Sequence, residues 1–329
     1  MLRRLSASHR SWALAHPFRI SRGVKTSAEV VEVSLQQDGM RGRGESVPYA
    51  RYGESVASVI AQLESVRAPI EQGANRQQLA SLLPAGAARN ALDDALWDLQ
   101  ARLDGVAVSD ALGHGPLPVM TSALTISLDA PAIMGKAAAR VADAPLIKIK
   151  VDARQPAEQI RAVRAAAPGA RLIVDPNESW DLELLRWIQP VLVETDVALV
   201  EQPLPSDDDA ALLGFQPQRP ICADESCHVA ADLTRLVDRY QAVNIKLDKS
   251  GGLSEALLML AAARERNLQV MVGCMICSSL GIAPALHIAR HADFVDLDGP
   301  WWLSHDHADG SRFENGRLQP PADGFWGGR

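Results

Sequence analysis

Three carboxylates stand at the ends of three successive apolar runs. Asp175 closes Leu172-Ile173-Val174, Glu201 closes Leu199-Val200, and Asp224 closes Ile221-Cys222-Ala223. They are separated by 26 and 23 residues, about one strand-plus-helix unit each, so neighbouring parallel strands would bring all three to one place. Carboxylate oxygens suit a hard divalent cation such as Mg²⁺. Isolated acids usually cap helices or sit in solvated loops; the repeated strand-end placement sets these three apart.

Lysines flank the acids in chain order. In Leu146–Val151, Lys148 and Lys150 share one strand face while Ile147, Ile149 and Val151 share the other, because side chains alternate along a strand. The apolar face suits a helix layer, which turns both lysines inward. The same parity sets Asn244, Lys246 and Asp248 against Val243, Ile245 and Leu247, and pairs Asp296 with Asp298 around Leu297. Lys150 and Lys246 could then face a metal-held substrate from opposite sides. A like charge lowers a lysine pKa, so Lys148 beside Lys150 is expected to create a general base working near neutral pH.

The elements that must position these residues follow a regular beat. Apolar runs over 121–127, 146–151, 171–175, 198–202, 221–225, 242–247, 269–274 and 294–298 alternate with helical patterns over 157–167, 182–194, 230–240, 253–267 and 280–291. Eight strands alternating with helices predict a parallel α/β fold, and closure into a barrel leaves no edge strand. An open doubly wound sheet is the alternative, but no GxGxxG follows a strand. Residues 1–115 differ. Val30–Gln36 and Arg41–Val47 flank Asp38-Gly39, a hairpin signal, and helices follow, clearest over Ala87–Leu103. This predicts an α+β cap over 1–115, completed by a tail over 304–329 with a hairpin at Asn315-Gly316, and a barrel over 116–303.

Composition excludes other classes. The 329 residues are 47% hydrophobic and 22% charged, with 40 acidic and 33 basic residues giving a net charge of -7. That balance, with 5% aromatics, argues against nucleic-acid binding. No apolar run is long enough for a signal-peptide core or a membrane span. Cys222, Cys227, Cys274 and Cys277 are expected as free thiols in a reducing cytoplasm, since their spacing suits neither structural zinc nor a thioredoxin-like motif.

Taken together, these motifs resemble the enolase superfamily, in its muconate-lactonizing-enzyme subgroup, and most closely its L-Ala-D/L-Glu dipeptide epimerases. The resemblance spans nearly the whole chain. It is carried by Lys148-Ile-Lys150, Val174-Asp175-Pro-Asn177-Glu-Ser-Trp180, Val200-Glu201-Gln-Pro203, Ala223-Asp224-Glu225-Ser226, the 244–252 run Asn-Ile-Lys-Leu-Asp-Lys-Ser-Gly-Gly, and Asp296-Leu-Asp298-Gly-Pro300. Pro176 replaces a more usual Ala and leaves the ligands untouched. Residues 17–23 and 48–55 are similar to the family's two capping loops, and 83–92 to its cap helix.

The resemblance implies a modified (β/α)7β TIM-type barrel and one Mg²⁺ per subunit on Asp175, Glu201 and Asp224. It implies Lys150 and Lys246 as the acid/base pair, supported by Lys148, epimerising a dipeptide by 1,1-proton transfer through a metal-stabilised enolate. Asp296 and Asp298 would hold the α-ammonium, and Arg22, Lys25 and Tyr52 would line the substrate. Either Arg22 or Lys25 would grip a side-chain carboxylate. Asn177, Glu225 and Ser226 would support the ligands, with Glu225 a candidate partner for Lys246. L-Ala-L-Glu/L-Ala-D-Glu from murein peptide metabolism is the implied substrate, and the chain is compatible with a homo-oligomer.

Other functions fit less of the pattern. A Schiff-base lyase would use Lys246 but leaves three metal-type acids unexplained. A non-catalytic dipeptide binder needs no opposed lysines. A cycloisomerase or o-succinylbenzoate synthase would leave Asp296 and Asp298 unpaired. His305-Asp-His307 reads as a solvated loop, Trp301-Trp302 as packing between barrel and cap, and Asp248 and Lys249 as structural partners at the mouth.

Overall fold

In a computed structural model describing residues 3–328, the chain forms a parallel barrel under a strand-rich cap. Met1, Leu2 and Arg329, the outermost residues of the expected cap and tail, lie outside the described residues. The cap sheet is antiparallel: β1 (Arg4–Ile20), β2 (Gly23–Gln37) and β3 (Met40–Ser46). The Asp38-Gly39 hairpin forms, with Gln37 opposite Met40 and both turn residues at positive φ. The first capping loop is not a separate loop. It is the tip of a long hairpin in which β1 pairs with β2, its register shifting between Ala13 and Phe18. That 17-residue strand is polar on both faces for much of its length, which hid it from periodicity.

β4 (Met120–Thr121) pairs with the C-terminal hairpin of β13 (Arg312–Glu314) and β14 (Arg317–Gln319), which turns at Asn315-Gly316. The barrel strands are β5 (Leu124–Ile126), β6 (Leu146–Lys150), β7 (Arg171–Asp175), β8 (Val197–Glu201), β9 (Ile221–Ala223), β10 (Ala242–Ile245), β11 (Gln269–Gly273) and β12 (Phe294–Asp296). They are hydrogen-bonded in that order, all parallel. Ala123 N–H donates to Val295 O at 2.8 Å and draws the two ends together.

The alternation of side chains builds the barrel in layers. Leu146, Ile173, Leu199, Cys222, Ala242, Met271 and Phe294, with Ala123, form a buried apolar floor, close to one residue per strand. Two residues further along come Lys148, Asp175, Glu201, Asp224, Asn244, Gly273 and Asp296. The apolar floor is thus capped directly by a polar layer, and Gly273 is needed there because a Cβ would press on the Asn244 side chain. Ile147, Ile149 and Val151 pack outward against the helices.

Two expected helices are shorter. The 280–291 pattern splits into Ser279–Ile282 and Leu286–Ala289, since Pro284 between them has no N–H to continue the ladder. The 230–240 pattern yields only a 3-10 turn and one α turn ending at Leu236.

Helix Ala87–Asp104 joins cap to barrel. Gly42 and Gly44 of β3 let the sheet touch its backbone, where a Cβ would collide with Ala91, Ala95 and Leu99. Its opposite face binds the barrel: Asn90 Nδ2 donates to Asp248 Oδ1, and Asp93 accepts from Ser254 N and Oγ. The tail reaches the same helix, with Gly327 N donating to Asp98 Oδ1 and Arg102 to Gly324 O.

Candidate functional site

The polar layer opens into a cleft of about 760 Å³ between barrel mouth and cap. Lys148, Lys150, Asp224, Lys246, Asp296 and Asp298 line it from the barrel, and Arg22, Lys25, Tyr49 and Tyr52 from the cap. Asp175 and Glu201 lie beneath, fully buried.

Each strand-end acid is gripped through one oxygen. Asn177 N–H donates to Asp175 Oδ1 at 2.8 Å, Asn244 Nδ2 to Glu201 Oε1 at 2.8 Å, and Lys249 Nζ to Asp224 Oδ1 at 2.6 Å. The other oxygen of each meets an ammonium. Lys150 Nζ is 2.5 Å from Asp175 Oδ2, Lys148 Nζ 2.6 Å from Glu201 Oε2, and Lys246 Nζ 2.7 Å from Asp224 Oδ2. Lys148 also reaches Asp175 and Asp296. The second oxygen of each acid thus attracts a cation, and three such carboxylate oxygens are the donors a hard divalent cation requires. The acids do not converge as tightly as their spacing suggests. Among the described residues, the group whose donor atoms all lie within 4.8 Å of one another is Glu32, Glu45 and His307.

Electrostatics follow from burial and these pairs. Burial raises the Asp175 pKa, but Lys150 and Lys148 outweigh it and hold the group below its ordinary value. Asp224 is likewise held well below by Lys246, Lys249 and Lys148. Glu201 goes the other way, pushed up to about 7 by burial and then by Asp175. Lys148 itself is not lowered. Burial would lower it, but Asp296, Glu201 and Asp175, all within 3.2 Å of its ammonium, hold it well above its usual value. Lys246 is raised as well, by Asp224 and Glu201 against burial.

Lys150 and Lys246 stand four strands apart in the eight-strand ring, on opposite sides of the acids. Asp248 departs from parity. The strand ends at Ile245, a short helix begins at Leu247, and Asp248 instead accepts from Val47 N and Asn90 Nδ2 of the cap. Lys249 is no mere partner of Asp248: fully buried, it binds Asp224 and the Asn244 carbonyl. Asp298 accepts from Thr125 N and Trp302 Nε1, leaving Asp296 Oδ1 buried without a hydrogen-bond partner.

The two cap cations differ. Arg22 bonds Glu225 Oε1 at 2.7 Å, Glu178 Oε2 at 3.0 Å and the Asn177 carbonyl at 2.9 Å. Glu225 thus pairs with Arg22, not with Lys246, whose ammonium is taken by Asp224. Lys25 has no carboxylate at ion-pair distance among the described residues; its ammonium lies 4.8 Å from the Tyr49 ring centre, facing the cleft. Tyr52 packs edge-on against His228.

Gln202 and the loop after β11 were not among the expected residues. Gln202, at positive φ directly after Glu201, accepts from both Asp224 N and Ser226 N and donates to Ser226 Oγ and Tyr240 OH. Ser226 serves this clamp and bonds none of the three strand-end carboxylates. Cys274, Met275 and Ile276 supply apolar lining. Gln202 stands directly after Glu201, a position from which parity points it away from the barrel, so spacing carried no signal for it.

The other flagged features lie elsewhere. His305 and His307 flank Trp12 and are not simply solvated; His307 and Glu32 line a small pocket with Arg10, Arg41 and Arg43, and the buried Glu45 lies within 4.8 Å of both. Trp302 packs edge-on to Phe18 between barrel and cap. All four cysteines are free.

A parallel barrel with strand-end acids, opposed inward lysines and a strand-rich cap defines the enolase type of architecture, and the chain belongs to the mandelate racemase / muconate lactonizing enzyme family. Residues 3–113 match that family's N-terminal domain, and residues 133–325 match the enolase C-terminal domain-like family. Within it, the chain is 46% identical to the L-Ala-D/L-Glu epimerase of Escherichia coli K12, covering 96% of this chain and 99% of that one. It is 40% identical to an N-acetyl-D-glutamate racemase from Pseudoalteromonas, over 91% and 95%. Among solved structures, an enolase family member from Agrobacterium tumefaciens with homology to dipeptide epimerases, carrying sodium, L-Ala-L-Glu and an ordered loop, superposes at TM-score 0.96. It is 44% identical, over 99% of this chain and all of that one. A dipeptide epimerase from Cytophaga hutchinsonii in complex with Mg and D-Ala-L-Val superposes at 0.90, with 26% identity over 98% and 94%.

Proposed function

We propose that the protein is a Mg²⁺-dependent dipeptide epimerase, an isomerase that inverts the α-carbon of the second residue of L-Ala-L-Glu and L-Ala-D-Glu. The observation that carries this reading is the pair of buried lysines, Lys150 and Lys246, facing each other across one set of strand-end acids. Asp175, Glu201 and Asp224 would hold the ion, each already fixed through its other oxygen. When bound, it supplies Lewis-acid stabilisation of charge developing on the substrate's terminal carboxylate.

The chain's own residues do the rest. Lys150 and Lys246 approach the α-carbon from opposite faces, so one removes the proton and the other returns one with inverted configuration. Lys148, 1% exposed and bound to three acids, neutralises the cluster and holds it in place. Asp296 and Asp298 receive the α-ammonium, and the unpartnered Asp296 Oδ1 supports this role. That favours a free amine over an N-acylated substrate such as the Pseudoalteromonas relative's name describes. Lys25, the cap cation without a carboxylate, takes the substrate's side-chain carboxylate, while Arg22 is already engaged. Tyr52 forms part of the wall. We assign this substrate to murein peptide turnover in the cytoplasm; four free thiols support a reducing compartment. No helix among the described residues is long and apolar enough to cross a membrane.

The test is solvent exchange. L-Ala-L-Glu incubated in D₂O with Mg²⁺-loaded protein should gain deuterium at the Glu α-position and accumulate L-Ala-D-Glu, and a chelator should stop both. Lys150→Ala and Lys246→Ala should each lose exchange from one epimer more than from the other. Absence of exchange in folded, metal-loaded protein, or equal loss from both epimers in each variant, rejects the two-lysine scheme.

A further inference from the structure

The turn after β7 is built unlike its neighbours. Asn177 and Glu178 are consecutive non-glycine residues at φ 48° and 65°, a left-handed conformation that L side chains adopt only where surrounding contacts hold it. It aims the Asn177 N–H at Asp175 and turns the Asn177 carbonyl out toward Ser21 Oγ and Arg22. It also places the Glu178 carboxylate, 7% exposed, between cap and barrel.

Four segments meet on that carboxylate. Oε1 accepts from Arg51 Nη2 and Ser206 N, both at 2.9 Å. Oε2 accepts from Arg51 Nε at 2.9 Å and Arg22 Nη1 at 3.0 Å. The β1–β2 tip, the 48–55 loop, the turn after β7 and the loop after β8 are thereby tied together. Burial works against the ionised form, but Arg51, the Ser206 N–H and Arg22 outweigh it and hold Glu178 below the ordinary carboxylate range. A two-pronged arginine pair of this kind fixes geometry as well as charge.

We propose that Glu178 is a positioning residue that latches both cap loops over the cleft and so sets where Lys25 stands. This rests on the reading of Lys25 given above. Lys25 pairs with Phe18 three residues beyond Arg22, so pinning the tip at Arg22 fixes the strand end that carries it. Glu225 also holds Arg22 but does not reach Arg51. Losing Glu178 therefore leaves Arg51 only its bond to Ser206 Oγ, and Arg22 its bonds to Glu225 and the Asn177 carbonyl, loosening both cap segments. Preference for an acidic second residue then depends on a carboxylate that never touches the substrate.

Two readouts test this on the full-length, Mg²⁺-loaded protein. Timed trypsin digestion of the native fold should cut after Arg22, Lys25 and Arg51 about tenfold faster in Glu178→Gln than in the parent. The same variant should raise KM for L-Ala-L-Glu about tenfold, a change of roughly 1.4 kcal/mol, with kcat nearly unchanged and little effect on KM for L-Ala-L-Met. Glu178→Asp should recover part of both effects. If Glu178→Gln does not fold, Glu178→Asp carries the test alone, with smaller shifts in the same direction expected in both readouts. Unchanged digestion and KM in a folded variant would overturn the proposal, as would equal loss of kcat on both dipeptides. Should the protein lack dipeptide activity altogether, the function reading fails while digestion still decides the latch.

Discussion

Asp298 shows what burial does to a single side chain in this cleft. Removed from water and beside Asp296, it is pushed up to about 7. Below that pH it is protonated and neutral; above it, it is an anion that attracts an ammonium. Affinity for a dipeptide with a free amine should therefore rise with pH across about 6 to 8, read as 1/KM. Asp298→Asn should abolish this rise, and an unchanged profile in that variant would assign the titration elsewhere. The inward direction of Lys148, Lys150, Asn244 and Lys246 was legible from alternation alone. The protonation preference of Lys148 was not, because it depends on Asp296, 148 residues away in the chain and 2.7 Å away in space.

At the scale of elements, the ends of β8 and β9 are held together by one amide. Gln202 Oε1 accepts the N–H of Asp224 at 2.8 Å and of Ser226 at 3.1 Å. Gln202→Ala would leave both buried donors unpaired, at about 1–3 kcal/mol each. Chemical denaturation should register a lower midpoint, and calorimetric titration a weaker affinity for Mg²⁺, since Asp224 loses its backbone anchor. Equal midpoints and affinities would show that the Ser226–Tyr240 pair suffices. Strand existence was readable from apolar runs. The turns that follow the strands were not, because the conformations at Asn177, Glu178 and Gln202 are positive-φ states selected by tertiary hydrogen bonds, with no glycine to mark them.

Across the whole molecule, buried acids bind cap to barrel. Burial pushes Glu45 and Asp248 up to about 7, and Asp93 to about 6. Each is raised above its unfolded value, so its stabilising contribution is complete below about pH 4 and is lost as pH rises through about 6–7. His287, buried and lowered to about 4, acts in the opposite direction as pH falls below about 6.5. The acid contribution is therefore best isolated by difference. Glu45→Gln, which keeps an acceptor for Ser278, should melt with a flatter dependence than the parent between about pH 5 and 7. Parallel melting profiles would remove Glu45 from the interface balance.

What the sequence by itself determined is whatever repeats with the period of a strand or of a strand-helix unit. That includes eight strands, the face each presents, three acids at successive strand ends, and lysines on either side of them. These are local consequences of alternation and spacing. Tertiary structure alone decided which oxygen of each acid is held and which meets a cation, and that Glu225 belongs to Arg22. It also decided that Lys25 is left facing the cleft without a carboxylate, and that Glu178 gathers four segments. Those outcomes depend on contacts between residues as far apart as Arg22 and Glu225, where direction and burial, rather than spacing along the chain, set the interaction.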